Sequence, residues 1–396
     1  MILKITLVLE IGIGIINNTL SLEYEKQKKR SRVGQNDLWE EIMKKKLLVL
    51  VTTALASTLL FGCTSQSPAV NTTKQAADAT EVAGNTTGTL TNDDSTSDSV
   101  ITVGFSQVGA ESDWRTANTA SMKNTFTEEN GYSLIFDDAQ QKQENQIKAI
   151  RNFIQQEVDY IVLAPITETG WETVLQEAKD AGIPVIIVDR MIDVSDESLF
   201  VAWVGSNFLQ EGYDAADWLA ADLEKEGRTE EDINIVTLQG TIGSSAQIGR
   251  TDGFNKKAEE HTNWKILAQQ TGEFTQAKGQ EVMESFLKSY PDIDVVVAEN
   301  DNMAFGAIDA IQNAGKTCGI DGDIIIISFD AVSAAFDMME QGLINVDVEC
   351  NPLHGPRVSE IIQKLIAGES VDKLQYVDEG VFPAESAKED RVGRLY

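Results

Sequence analysis

Histidine and cysteine are nearly absent from this chain of 396 residues, which carries two of the first and three of the second. Three cysteines cannot build a disulfide framework. His261 and His354 stand without the cysteine or carboxylate spacing of a metal site, so no metal is expected. Basic charge is also scarce: 32 Lys+Arg face 63 Asp+Glu, a formal net charge of -31. A protein that grips phosphate backbones needs a basic footprint, so nucleic acid is not expected as a partner. No G-x-S-x-G, Walker A, G-x-G-x-x-G or H-E-x-x-H stretch occurs, so neither a cofactor nor an enzyme activity is expected. A pair of carboxylates does the work of a glycosidase, but an Asp beside an Arg has a lowered pKa and makes a poor general acid.

What the chain does have begins with MKKKLLVLVTTALASTLLFGC, from Met43 to Cys63. Three lysines, a short apolar run and a small-residue ending are the parts of an export signal, and the run is short for a membrane span. The L-x-G-C ending looks like a bacterial lipobox, in which Cys63 receives lipid. A lipid-anchored chain outside the cytoplasmic membrane is therefore expected, with the signal over 43–62. Residues 1–42 include a basic, poorly patterned stretch, YEKQKKRSRVGQ, that an exported protein does not need. We read them as an extension in front of a translation start at Met43. Residues 63–97, rich in Ser, Thr, Asn, Asp, Gly and Ala and free of aromatics, read as a flexible tether.

From Val100 onward short β-branched runs alternate with amphipathic stretches. Strands are expected at 100–105, 132–137, 159–165, 183–189 and 200–205, with helices around 115–130, 142–157 and 168–182. A long helix at 207–226 leads to a second series with strands at 233–240, 264–269, 294–300, 323–330 and 345–350. This alternation predicts an α/β fold of two doubly wound parallel-sheet lobes. Cys318 precedes its strand and Cys350 ends another, so two free thiols are expected.

Ligands of such sheets sit beyond the carboxyl ends of the strands. There the sequence sets Glu111, Trp114 and Arg115, then Asp189-Arg190, Arg250, Phe274, Asn300, Asp330 and Glu349. Taken singly, each has an ordinary explanation. Asn300, Asp301 and Asp330 read as helix caps, Arg115 and Arg250 as surface ion pairs, and Trp114, Phe274 and Trp171 as packing. Together they bias one sheet edge towards fork donors, carboxylates, a carboxamide and aromatic faces, the groups that hydroxyl-rich ligands need. Asp189 and Arg190 are expected to satisfy each other when no ligand is present.

The stretches FSQVGAESDWR (105–115), QQKQENQIKAIRNF (140–153), APITETGWE (164–172), VDRMIDV (188–194), LQGTIGSSAQIGRTDGF (238–254), GEFTQAKGQEVMESF (272–286) and ENDNMAFGAI (299–308) occur in order. In this, residues 100–396 resemble the ribose/galactose branch of the type I periplasmic sugar-binding proteins of ABC transporters, and within it the galactofuranose-binding members. The resemblance implies that Asp189 and Arg190 bind sugar hydroxyls. It implies ligand roles for Glu111, Trp114 and Arg115 in the first lobe and for Arg250, Phe274, Asn300, Asp330 and the hinge residue Glu349 beyond it. The pairing of Trp114 with Arg115 marks furanose binders in that family, whereas ECNPLHGP (349–356) departs from the galactofuranose pattern at Cys350 and Asn351. Hinges are implied near Gly205, Glu349 and Glu379, dividing lobe 1 (98–205 plus 350–379) from lobe 2 (206–349 plus 380–396). The implied partners are a monosaccharide, an ABC permease with its ATPase and, through Cys63, a membrane surface, with the chain a monomer. A sugar receptor feeding a histidine kinase or chemoreceptor is the other reading. A transcriptional repressor shares the core but needs a basic helix-turn-helix in front of it.

Overall fold

The computed structural model describes residues 100–396; the expected export signal over 43–62, Cys63 and the expected tether over 63–97 lie outside the described residues. Two six-stranded sheets carry the fold. In the first, β1 (Ile101–Gln107), β2 (Tyr132–Asp138), β3 (Tyr160–Leu163), β4 (Val185–Val188), β5 (Ala202–Gly205) and β11 (Leu374–Tyr376) run in the order β11-β5-β4-β3-β1-β2. The second holds β6 (Ile233–Gln239), β7 (Trp264–Thr271), β8 (Val295–Ala298), β9 (Ile325–Asp330), β10 (Val346–Glu349) and β12 (Val381–Pro383), ordered β12-β10-β9-β8-β6-β7. All pairings are parallel except that of β10 with β12.

Helices cover both faces of each sheet, which is why the central strands are apolar on both sides. In β4, Ile186 and Val188 enter one buried cluster while Val185 and Ile187 enter the other. The same period-two split separates Val296 and Ala298 from Val295 and Val297 in β8. The first lobe uses α1 (Asp113–Thr125), α2 (Gln143–Gln155) and α3 (Glu172–Asp180). The second uses α4 (Phe208–Glu226), α5 (Ser245–Ala258), α6 (Gln276–Ser289), α7 (Asp301–Asn313) and α8 (Ser333–Glu340). After β10 the chain returns to the first lobe as α9 (Gly355–Ile366), which packs on α1, and a last turn, α10 (Ala387–Asp390), follows β12.

The chain therefore passes between the sheets after Gly205, after Glu349 and between Tyr376 and Val381. Helix α1 ends earlier than its apolar pattern predicts, because a 3-10 turn at Glu128–Asn130 leads to Gly131 at φ 81. Strands β11 and β12 have no periodic apolar run and are visible only through their pairing. Cys318 and Cys350 are both buried free thiols.

Candidate functional site

In both sheets the strand order reverses beside the strand that opens the lobe, and loops from the carboxyl ends meet between the lobes. They frame a small cavity. Its lining includes Glu111, Trp114, Arg115, Asp189, Arg190, Arg250, Phe274, Asn300 and Asp330. Every residue that the sequence singled out as a ligand contact is there except Glu349. That carboxylate accepts from the Gly380 N–H (2.8 Å), Arg394 (2.8 Å) and the Tyr396 hydroxyl. Strand alternation is the reason: Glu349 and its neighbour Cys350 point to opposite sides, and Cys350 is the one that lines the cavity.

The first lobe contributes an under-partnered ionic cluster. Arg115 donates through Nε to Glu111 Oε1 at 2.9 Å and through Nη1 to Gln107 at 3.2 Å, while its Nη2 lies 2.7 Å from Asp189 Oδ2. That last contact is close but not aligned as a hydrogen bond. Arg190 donates to the Ile166 carbonyl at 3.0 Å, yet stands 3.8 Å from both Asp189 and Glu111. So Asp189 pairs chiefly with Arg115 and not, as expected, with Arg190. Glu111 Oε2, Asp189 Oδ2 and Arg190 Nε are buried with no hydrogen-bond partner. Burial opposes ionisation of Asp189, but Arg115 and Arg190 outweigh it and hold the carboxyl below its ordinary value. Burial and the neighbouring Arg115 push Arg190 down to about 10.

In the second lobe the cavity-lining arginine and asparagine are engaged. Arg250 donates through Nε to Glu211 at 2.6 Å, through Nη1 to the Glu299 carbonyl and through Nη2 to Asp330 at 3.1 Å. Asn300 both lines the cavity and caps α7, its Oδ1 accepting from Met303 N–H at 2.9 Å. Asp301 is turned away, bound by the Ser328 hydroxyl (2.6 Å) and Val332 N–H (2.9 Å). Trp171 is fully buried packing, donating to the Thr167 carbonyl at 2.7 Å.

Three lining residues sit at left-handed φ without being glycine: Asp189 (62°), Phe274 (60°) and Asp330 (110°). Such backbone costs about 1–3 kcal/mol each and persists where the surroundings over-determine it. Phe274 shows how: a Cβ on Gly240 would lie 1.9 Å from the ring, so glycine there makes room for the aromatic face. The lobes also touch directly. Trp114, on the first lobe's α1, joins the apolar cluster of the second lobe, and its Nε1 donates to the Cys350 carbonyl in the second crossing at 2.6 Å. Around the rim, Asp113 N–H donates to Asn302 (2.9 Å), Glu168 N–H to Gly243 (2.9 Å) and Met191 N–H to Ser245 (2.8 Å). The guanidinium of Arg190 lies over the Phe274 ring at 5.0 Å.

Ser112, Phe208, Ala246 and Cys350 line the cavity without having been singled out. Ser112 lies within the stretch already quoted and Cys350 beside Glu349; Phe208 and Ala246 carry no chemical signal of their own. Glu211, three residues after Phe208 on α4, is found only through its partner Arg250.

The chain matches the model of a periplasmic binding protein domain over residues 103–354. It is 43% identical over 294 residues to the galactofuranose-binding protein YtfQ of Escherichia coli K12, covering 73% of this chain and 90% of that one. A Mycobacterium smegmatis protein solved with β-D-fucofuranose superposes with a TM-score of 0.71 at 45% identity, covering 74% of this chain and 95% of that one. The periplasmic component of an arabinose ABC transporter from Shewanella sp. ANA-3, bound to α- and β-L-arabinofuranose, gives 0.69 at 46%, covering 73% and 94%. These relatives are binding proteins and not enzymes, and their two-lobed architecture is the one described above. The chain belongs to the type I periplasmic binding proteins, as a sugar-binding member of the kind that serves ABC transporters.

Proposed function

We propose that the chain captures a monosaccharide in its furanose form between the lobes, galactofuranose first, with arabinofuranose or another pentose or hexose behind it. Delivery to a membrane permease follows, from a lipid anchor at Cys63 and along the tether over 63–97. The three crossings act as the hinge, and sugar favours the closed arrangement by binding it better than the open one. The observation that carries this reading is that Glu111 Oε2 and Arg190 Nε, on residues that line the cavity, are buried without a hydrogen-bond partner, with Phe274 and Trp114 in the same wall. Vicinal hydroxyls complete such atoms, and an aromatic face takes the C–H side of a ring. The relatives bound to fucofuranose and arabinofuranose support the five-membered ring.

A thermal-shift screen tests the reading with D-galactose, L-arabinose, D-fucose, D-ribose and D-fructose, followed by NMR of the ring form of bound ¹³C-labelled sugar. We expect stabilisation by galactose or arabinose, bound as furanose. A panel in which no monosaccharide raises Tm ends the carbohydrate reading, and a bound pyranose ends the furanose one.

A further inference from the structure

Behind the sugar cavity, residues of all three crossings meet. Ser206 comes from the first, Cys350 from the second and Glu379 from the third, and Glu211 reaches in from the first turn of α4. One ligand atom each from Glu211, Cys350 and Glu379 lie within 4.8 Å of one another. Glu379 Oε1 accepts from Ser206 Oγ at 2.5 Å and from Asn351 N–H at 2.8 Å, and Ser206 Oγ is 3.3 Å from Cys350 Sγ. Glu211 gives one oxygen to Arg250, while the other, Oε1, is buried without a partner; the side chain is 4% exposed.

We propose that Glu211, Cys350 and Glu379 form a binding site for a divalent transition metal of zinc's class, tying the three crossings together. A thiolate with two carboxylates selects a borderline-soft ion over calcium or magnesium, which take oxygen alone. Tetrahedral zinc with bonds of about 2.0–2.3 Å asks these atoms to approach by roughly 1 Å, within the reach of side-chain rotation. The Ser206 hydroxyl or a water supplies the fourth position. Binding replaces the thiol proton of Cys350, and any proton on the two carboxyls, by bonds to the metal, and those protons pass to solvent. The crowding of acids is what a dication relieves: Glu211 and Glu379 stand beside one another, and Glu211 Oε1 is buried without a partner. No linear spacing announces the trio, because its members are 139 and 29 residues apart (350 − 211 and 379 − 350). Glu211 and Glu379 do not line the sugar cavity, and Cys350 lies in the wall between the cavity and the proposed metal.

Titration of the purified protein with Cd²⁺, a spectroscopic stand-in for zinc, tests this. We expect one equivalent bound with a thiolate-to-cadmium charge-transfer band that Cys350→Ser abolishes and Cys318→Ser leaves intact. Zinc should raise Tm, and Glu379→Gln should weaken it by at least the roughly 10- to 100-fold that losing outer-sphere support costs a metal site. The wild-type spectrum needs no variant to fold. Absence of the band at excess Cd²⁺, or a band that survives Cys350→Ser, overturns the proposal.

Discussion

The two lobes meet the cavity with similar residues in opposite conditions. In the first, Glu111 Oε2 and Arg190 Nε are buried without a partner, and Asp189 Oδ2 is held only by its ion pair with Arg115. In the second, all three nitrogens of Arg250 are engaged, by Glu211, the Glu299 carbonyl and Asp330. An unmade hydrogen bond in a buried place is expensive, so the first lobe has more to gain from a ligand. In the second lobe the groups that line the cavity are already held, and an unpartnered oxygen there, Glu211 Oε1, belongs to a residue that does not line it. Identical residue types thus divide into an adaptable jaw and a fixed one, and the division depends on partners and not on composition.

The largest test of this contrast is Arg250→Ala. It strands Glu211 and Asp330 in the interior, and loss of one member of such a buried network costs about 3–5 kcal/mol of stability. Chemical denaturation of the ligand-free protein measures it. Arg190→Ala, which loses one hydrogen bond to the Ile166 carbonyl, should cost less stability than Arg250→Ala but remove most of the sugar-induced Tm shift, a loss of about 1.5–3 kcal/mol of binding. If both variants unfold equally early, the contrast between the jaws fails.

A finer test uses pH, to which the lobes answer in opposite directions. Asp189 is depressed, so its contribution is present above the ordinary carboxylate range and fades as pH falls. Asp347 lies beside Asp301 in the second lobe, and burial pushes it up to about 7. The folded pair holds a proton that the unfolded chain releases near pH 4, so stability falls as pH rises from about 4 to 7. Asp347→Asn keeps a donor for Asp301 and should flatten that slope, by no more than roughly 1.4 kcal/mol per pH unit. Tm measured at pH 5 and 7.5 decides it; equal slopes in variant and wild type would mean that the pair does not titrate there.

Sequence alone exposes the ten longer strands, because parallel strands covered on both faces must be apolar throughout, as IPVIIV at 183–188 is. It exposes Arg115, Asp189, Arg190 and Arg250 because ionic residues at strand ends are costly without a purpose. It does not fix who pairs with whom. Asp189 and Arg190 are neighbours in the chain, yet a left-handed φ at Asp189 turns its carboxylate towards Arg115, eight residues beyond β1. Nor does it fix Glu349, where a single step in strand alternation decides between cavity and C-terminal tail. Glu211 and Glu379 were illegible because only tertiary packing joins them.

Trp114 gives the molecule an optical gauge of its own shape. Its indole belongs to one lobe in the chain but is 4% exposed against the other, with its N–H on the Cys350 carbonyl. Any motion that parts the lobes carries that ring out of the second lobe's apolar cluster towards water, so its emission should move to the red as the cleft opens. The hinge angle can then be followed in real time, without a dye, from a residue that nature placed at the seam.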